Sequence, residues 1–161
     1  MTEAERRERA MELFEQAYAH QARKELDEAI RLYQESLALY PTAEAHTFLG
    51  WTYSFQGRLD EAIAECHKAI AVDPDFGNPY NDIGVYLIER GDLDGAVPWL
   101  EKAKQAPRYE PRHFPYMNLG RVYLQRGRWQ DALRELEAAV RLAPDDPGAR
   151  KMLHEMRARF N

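Results

Sequence analysis

Apolar side chains recur along this chain at helical intervals, and the intervals themselves repeat. Leu26, Ile30, Tyr33 and Leu37 step by four, three and four residues, as do Leu59, Ile63, Cys66 and Ile70, and again Trp129, Leu133, Leu136 and Val140. Such spacing stacks the side chains along one face of an α-helix. Ahead of these stripes run other apolar stretches that stop at Gly57, Gly91 and Gly127, the residue type that closes a helix with a left-handed turn. The segment LGWTYSFQG, residues 49–57, alternates aromatic and polar positions and taken alone reads as a strand. Its counterpart LGRVYLQRG, 119–127, does not alternate, so both are read as helix. The pattern predicts pairs of helices joined by tight turns.

The pairs are copies of one another. LGWTYSFQGRLDEAI at 49–63 returns as IGVYLIERGDLDGAV at 83–97 and LGRVYLQRGRWQDAL at 119–133. Gly50, Gly84 and Gly120 are 34 and 36 residues apart, and so are Gly57, Gly91 and Gly127. A fainter copy lies upstream, where KELDEAI (24–30) matches GRLDEAI (57–63). Ser36, Ala69, Ala103 and Ala139 keep the same rhythm, as do Pro41, Pro74 and Pro144, with Pro107 nearly in register. One pair of short helices cannot bury its apolar face alone, so units of this kind must stack. Gly50, Gly84, Ala62 and Ala96 are then the positions where helices come closest.

This pattern resembles the tetratricopeptide repeat, whose W-x2-L-G-x2-Y, A-x3-F and P positions span about 34 residues. The second unit supplies Leu49, Gly50, Tyr53, Ala62 and Pro74, with His46 and Cys66 where large apolar residues are preferred. The third supplies Tyr80, Ile83, Gly84, Leu87, Ala96 and Leu100, and the fourth Tyr116, Leu119, Gly120, Tyr123, Ala132, Leu136 and Pro144. The first keeps Leu13, Ala17, Ala29, Tyr33 and Pro41 but has Gln16 and His20 at apolar positions. The resemblance implies an all-α fold, a right-handed α-solenoid of antiparallel helix pairs. It forms a single domain over 1–161, with repeats at about 10–41, 43–75, 77–111 and 113–146. Residues 147–161 form the expected capping helix, with Asp146 as N-cap, Pro147 in the first turn and Leu153, Met156 and Phe160 on one face. Thr2 and Glu5 fit a capping box at the other end.

The connector APRYEPRHFP breaks the rhythm. Pro107, Pro111 and Pro115 lengthen the period, Lys104 takes the place of an apolar residue, and Pro98, a turn into the preceding helix, removes a donor and is expected to bend the chain. A stiff, extended insertion is expected, and Arg108, Tyr109, Arg112 and His113 are its side chains with binding chemistry.

Composition narrows the chemistry. Of 161 residues 45% are hydrophobic and 30% charged, which suits a soluble globular chain. No apolar run is long enough to cross a membrane, and the charged start MTEAERRERAMELFE is no signal peptide. A single cysteine forms no internal disulfide, which points to a reducing, cytoplasmic setting. The net charge is −5, with −7 over residues 1–80 and +2 over 81–161; nucleic acid is not the expected partner. His20, His46, His67, His113 and His154 are never three or four apart, and no phosphate loop, C-x-x-C or nucleophile elbow is present. No enzyme activity, metal or cofactor is expected, and Cys66 on its apolar stripe reads as a core thiol.

What remains is a face. With about 100° per residue, Trp51 and Phe55 point away from Leu49, Gly50 and Tyr53. The corresponding positions are Met11, Phe14 and Tyr18 in the first unit, and Asn78, Asn81, Val85 and Ile88 with Glu89 in the third. In the fourth they are Phe114, Met117, Arg121 and Leu124, while Glu44 and Thr47 complete the second. The resemblance implies that these positions line a concave groove. Its mostly apolar floor, flanked by Glu44, Glu89 and Arg121, suits a protein or peptide partner with apolar anchors. The alternative is a homo-oligomer in which a second copy fills the groove or an end face. Relatives that grip chaperone tails do so with a carboxylate clamp of Lys, Asn and Arg. The matching sets here are Phe14, Tyr18, Phe48, Asn78 and Asp82, or Thr47, Trp51, Asp82, Phe114 and Asn118. Neither set is basic, so such tails are disfavoured.

Overall fold

Each predicted apolar stretch is a helix in the computed structural model, which describes residues 1–160. Among them are nine helices: α1 (Glu3–Ala22), α2 (Leu26–Leu39), α3 (Ala43–Phe55), α4 (Leu59–Val72), α5 (Asn78–Glu89), α6 (Leu93–Gln105), α7 (Phe114–Gln125), α8 (Trp129–Leu142) and α9 (Pro147–Phe160). The last residue of the expected capping helix lies outside the described residues. α1 packs on α2, α3 on α4, α5 on α6 and α7 on α8, and each second helix then meets the first helix of the next pair. The result is an all-α solenoid, as the repeated pattern predicts.

The turns explain the glycines. Gly57, Gly91 and Gly127 have φ of 75°, 84° and 72°, the left-handed region where a Cβ is unfavourable. Lys24 holds the same place in the first unit with φ 62°. Within pairs, a Cβ on Gly84 would stand 2.5 Å from Leu100 Cδ2, and one on Gly50 2.9 Å from the Ala62 carbonyl oxygen. The small residues of the second helices, Ser36, Ala69, Ala103 and Ala139, are all buried. Ser36 Oγ donates to the Ala10 carbonyl at 2.7 Å. Neighbouring units are tied at one edge by recurring contacts: Gln56 donates to Asp27 at 3.0 Å, and Arg90 and Arg126 pair with Asp60 at 3.1 Å and Asp94 at 2.7 Å.

Both caps form. Thr2 and Glu5 bond each other's backbone amides, and Asp146 Oδ2 accepts from the Ala149 amide at 2.8 Å. Leu153 and Met156 are buried against Ala132 and Leu136. Phe160, expected on the same covered face, is exposed and leans on the Trp129 ring at 4.4 Å.

Two polar departures from the repeat pattern find polar partners. His46 Nδ1 lies 2.7 Å from Glu65 Oε2, with Lys68 3.0 Å from Oε1. Burial pushes the Glu65 carboxyl up, but its hydrogen bonds to His46 and Lys68 outweigh this and hold it below the usual range. Lys104 lies between Glu135 at 2.9 Å and Glu101 at 3.2 Å, its ammonium 4.4 Å from the Tyr116 ring centre. Pro98 lies inside α6 without ending it.

The connector folds back on the chain. Gly77 N–H donates to the Arg108 carbonyl at 2.9 Å and Arg108 N–H to that of Asp75 at 3.0 Å, clasping it to the loop before α5. Tyr109 is buried, and a Cβ on Gly77 would stand 2.5 Å from its ring. Arg108 pairs with Asp73 at 2.6 Å and Glu44 at 2.9 Å; Arg112 donates to the Lys104 and Ala106 carbonyls; His113 faces Asp146 at 3.4 Å. All four connector side chains are engaged within the chain.

Candidate functional site

Trp51 and Phe55 stand one turn apart on α3, and their rings meet at 5.0 Å. Both point off the face that α3 gives to α4, because Leu49, Gly50 and Tyr53 occupy that face and are buried. Trp51 also meets Phe48 at 5.9 Å, and Phe48 meets Phe14 and Tyr18 of α1 at 5.3 and 5.7 Å. Five aromatic rings thus run without a break from α1 across α3. This run is only partly covered: Trp51 is 40% exposed, Phe55 56% and Tyr18 50%. Phe114 of α7, 41% exposed, faces them from the far side.

Between them is a hollow of about 420 Å³. It brings together seven of the residues expected in the groove: Trp51, Phe55, Asn81, Val85, Glu89, Phe114 and Met117. Tyr18 joins Trp51 and Phe55 in an adjoining hollow beside α1, and Met11, Phe14 and Glu44 line another near the amino-terminal end. The face spans all four units.

Some expected members lie elsewhere. Thr47 is buried and donates its hydroxyl to the Ala43 carbonyl at 2.7 Å, closing on its own helix. Ile88 is buried in the core with Leu100 and Leu119, because the next pair covers its side of α5. Leu124 packs with Leu136 and Leu153 beneath α9. Asn78 turns to the connector, donating to the Glu110 carbonyl at 3.4 Å. Glu44 is held by Arg108 rather than standing as a free flanking charge. Arg121 is exposed and donates to Asn118 Oδ1 at 3.1 Å.

Ser54, Asp82, Tyr86 and Asn118 also line the central hollow, and the apolar pattern did not select them. Asn118 Nδ2 donates to Asn81 Oδ1 at 3.0 Å, joining α7 to α5 across the floor. Asp82 is partly enclosed, and burial pushes its carboxyl up to about 7, against a smaller lowering by Asn81. Tyr86 is buried and its hydroxyl has no hydrogen-bond partner among the described residues. The signal for Asp82 was its recurrence in both clamp registers, an acid where relatives place Lys, Asn or Arg.

Among the described residues no His, Cys, Asp and Glu side chains gather as a metal site. Cys66 is buried, which pushes its thiol well above the usual value and keeps it protonated.

Models of the tetratricopeptide repeat match residues 10–43, 43–76, 80–106 and 113–146, in step with the four helix pairs. The chain is a tetratricopeptide-repeat protein. Repeats of this family are protein-interaction modules and in general non-catalytic. Among curated proteins the repeat array is similar to the heat-shock cognate co-chaperone sgt12 of Aspergillus fumigatus, 29% identical over 89 residues. That match takes in 55% of this chain and 26% of the relative, so the chain spans about a quarter of that protein's length. Among solved structures it is similar to pilF of Pseudomonas aeruginosa, with TM-score 0.87 and 24% identity over 96% of this chain and 70% of that one. YrrB, described as a tetratricopeptide-repeat protein with an unusual peptide-binding site, superposes with TM-score 0.67 at 21% identity, covering 93% and 77%. At these identities the structural likeness is one of fold. No helix among the described residues is long and apolar enough to cross a membrane.

Proposed function

We propose that this repeat protein is a non-enzymatic adaptor that holds a segment of a partner protein in the groove between α3, α5 and α7. The observation that carries this reading is the exposure of Trp51, Phe55 and Phe114 around one hollow. Each repeat pair already buries its own interior, so these rings are surplus to the solenoid's stability. Large aromatics left uncovered in a concave surface are the residues that anchor bound chains. The similarity to a co-chaperone and the fold shared with a peptide-binding repeat protein support the same direction.

The test compares the wild type with a Trp51→Ala, Phe55→Ala variant as bait for native-cell extract, with helicity checked by circular dichroism. A partner retained by the wild type and lost from an equally helical variant is the expected outcome. A partner held equally by both would move the binding surface elsewhere. Light scattering over a range of concentrations addresses the competing reading. A mass that rises with concentration, and does so only with Trp51 and Phe55 intact, would give the groove to a second copy.

A further inference from the structure

Between the apolar anchors of the groove, the floor carries a carboxyl that those anchors do not use. We propose that this floor is a receptor for one basic side chain, lysine or arginine, of a bound segment whose neighbouring residues are apolar, with Asp82 and the Tyr86 hydroxyl as its acceptors. This rests on the groove being the binding face.

Three observations meet at the same place. Asp82 lines the central hollow and forms no ion pair among the described residues. The charged and titratable groups that face it are Cys66 from α4, Tyr109 from the connector and Tyr86 from its own helix, and none is cationic. Second, Tyr86 lines the same hollow, and its hydroxyl, buried beside the Ser54 side chain, makes no hydrogen bond of good geometry among the described residues. A buried polar atom left unpaired is costly, and one that borders a cavity points to a donor or acceptor arriving from outside. Third, Glu89 stands two turns further along α5 at the rim, exposed and likewise outside any ion pair among the described residues.

Charge and shape both favour a cation. Two carboxylates and a hydroxyl oxygen offer acceptors, while Arg121, the nearby guanidinium, is already turned to Asn118. Trp51, Phe55 and Phe114 present ring faces around the hollow, and such faces attract ammonium or guanidinium groups. Burial holds the Asp82 carboxyl at about 7, so near neutrality it is ready to ionise when a cation arrives. A chain carboxylate or phosphate would meet repulsion at the same spot.

Selection from a displayed library of random peptides, about twelve residues long, on the immobilised full chain tests this directly. The expected consensus has Lys or Arg at one fixed place between apolar residues. Replacing that residue by norleucine in a labelled synthetic copy should weaken binding about tenfold, the size of one charge-assisted contact. On Asp82→Asn the same replacement should change affinity less than about twofold, because the acceptor's charge is gone. Tyr86→Phe should shrink the preference for the basic residue without removing binding. Peptides that bind the wild type with no basic enrichment, or whose norleucine penalty persists on Asp82→Asn, would overturn the receptor and leave the groove standing. Peptides retained equally by Trp51→Ala, Phe55→Ala, or no selected peptides at all, would overturn the groove reading itself and the receptor with it.

Discussion

The Lys104 ammonium of α6 lies 2.9 Å from the Glu135 carboxylate of α8, at the position where other units carry Leu37, Ile70 or Val140. Its side chain is 10% exposed and that of Glu135 16%. Burial alone would lower the lysine's pKa, but Glu135 and Glu101 outweigh it and raise the value, so the ammonium stays charged. This pair stands in for an apolar contact between the third and fourth units.

Removing one partner should therefore cost more than removing both. Lys104→Leu alone leaves Glu135 half-buried without its cation and should lower stability by about 2–3 kcal/mol. Lys104→Leu combined with Glu135→Leu should return to within about 1 kcal/mol of the wild type, or above it. Urea unfolding of the three chains measures both steps. A double variant as unstable as the single one would show that the pair contributes more than an apolar contact could.

The turn of the first unit offers a gain. Lys24 has φ 62°, where the other three turns use glycine at 72–84°. Side chains pay a steric penalty in that region that glycine avoids. Lys24→Gly should raise stability by about 0.5–1 kcal/mol after the added freedom of the unfolded chain is counted. Chemical denaturation would register this as a higher midpoint with unchanged slope. A lower midpoint would mean that the lysine side chain, which borders one hollow with Tyr18 and Trp51, contributes more than its backbone loses.

Asp82 makes the fold sensitive to pH in a definite direction. Its carboxyl titrates at about 7 in the folded chain against 3.8 as its ordinary value. A raised folded value means that the protonated form favours folding. That contribution is complete below about pH 4 and is lost as pH rises through about 7. The full shift corresponds to about 4 kcal/mol, and the side chain's remaining contact with water reduces this to about 2 kcal/mol. Asp82→Asn should thus gain on the wild type by about that amount between pH 4 and 8. Glu65, held below its usual value by His46 and Lys68, pulls the opposite way in acid, so the comparison is between the two chains at each pH. A difference that stays flat across the range would show an ordinary, solvated carboxyl.

Periodicity carried the architecture because it is a local property: every Leu or Ala on a buried stripe can be counted within its own helix. The same arithmetic placed Trp51, Phe55, Val85, Phe114 and Met117 around one hollow. It failed at the margins of the stripe. Ile88 and Leu124 stand at the carboxyl ends of α5 and α7, where the following helices cover them, and a single helix's wheel holds no information about its neighbour. Thr47 was lost for a different reason, since its hydroxyl satisfies itself on the Ala43 carbonyl. Asp82 was visible only as an acid in an unexpected register. Its enclosure depends on α4, α7 and the connector together. The proline-rich connector read as extended, but its attachment through Arg108 and Tyr109 depends on a loop more than thirty residues upstream.

That attachment has a mechanical outcome. A solenoid flexes at the joints between its units, and most joints here are held by side-chain packing with exposed ion pairs such as Arg90–Asp60. The clasp between 106–113 and the Asp73–Gly77 loop adds backbone hydrogen bonds and a buried tyrosine between the connectors on either side of the third unit. The loops that lead into α5 and α7 are thereby tied to each other, opposite the aromatic wall of α1 and α3.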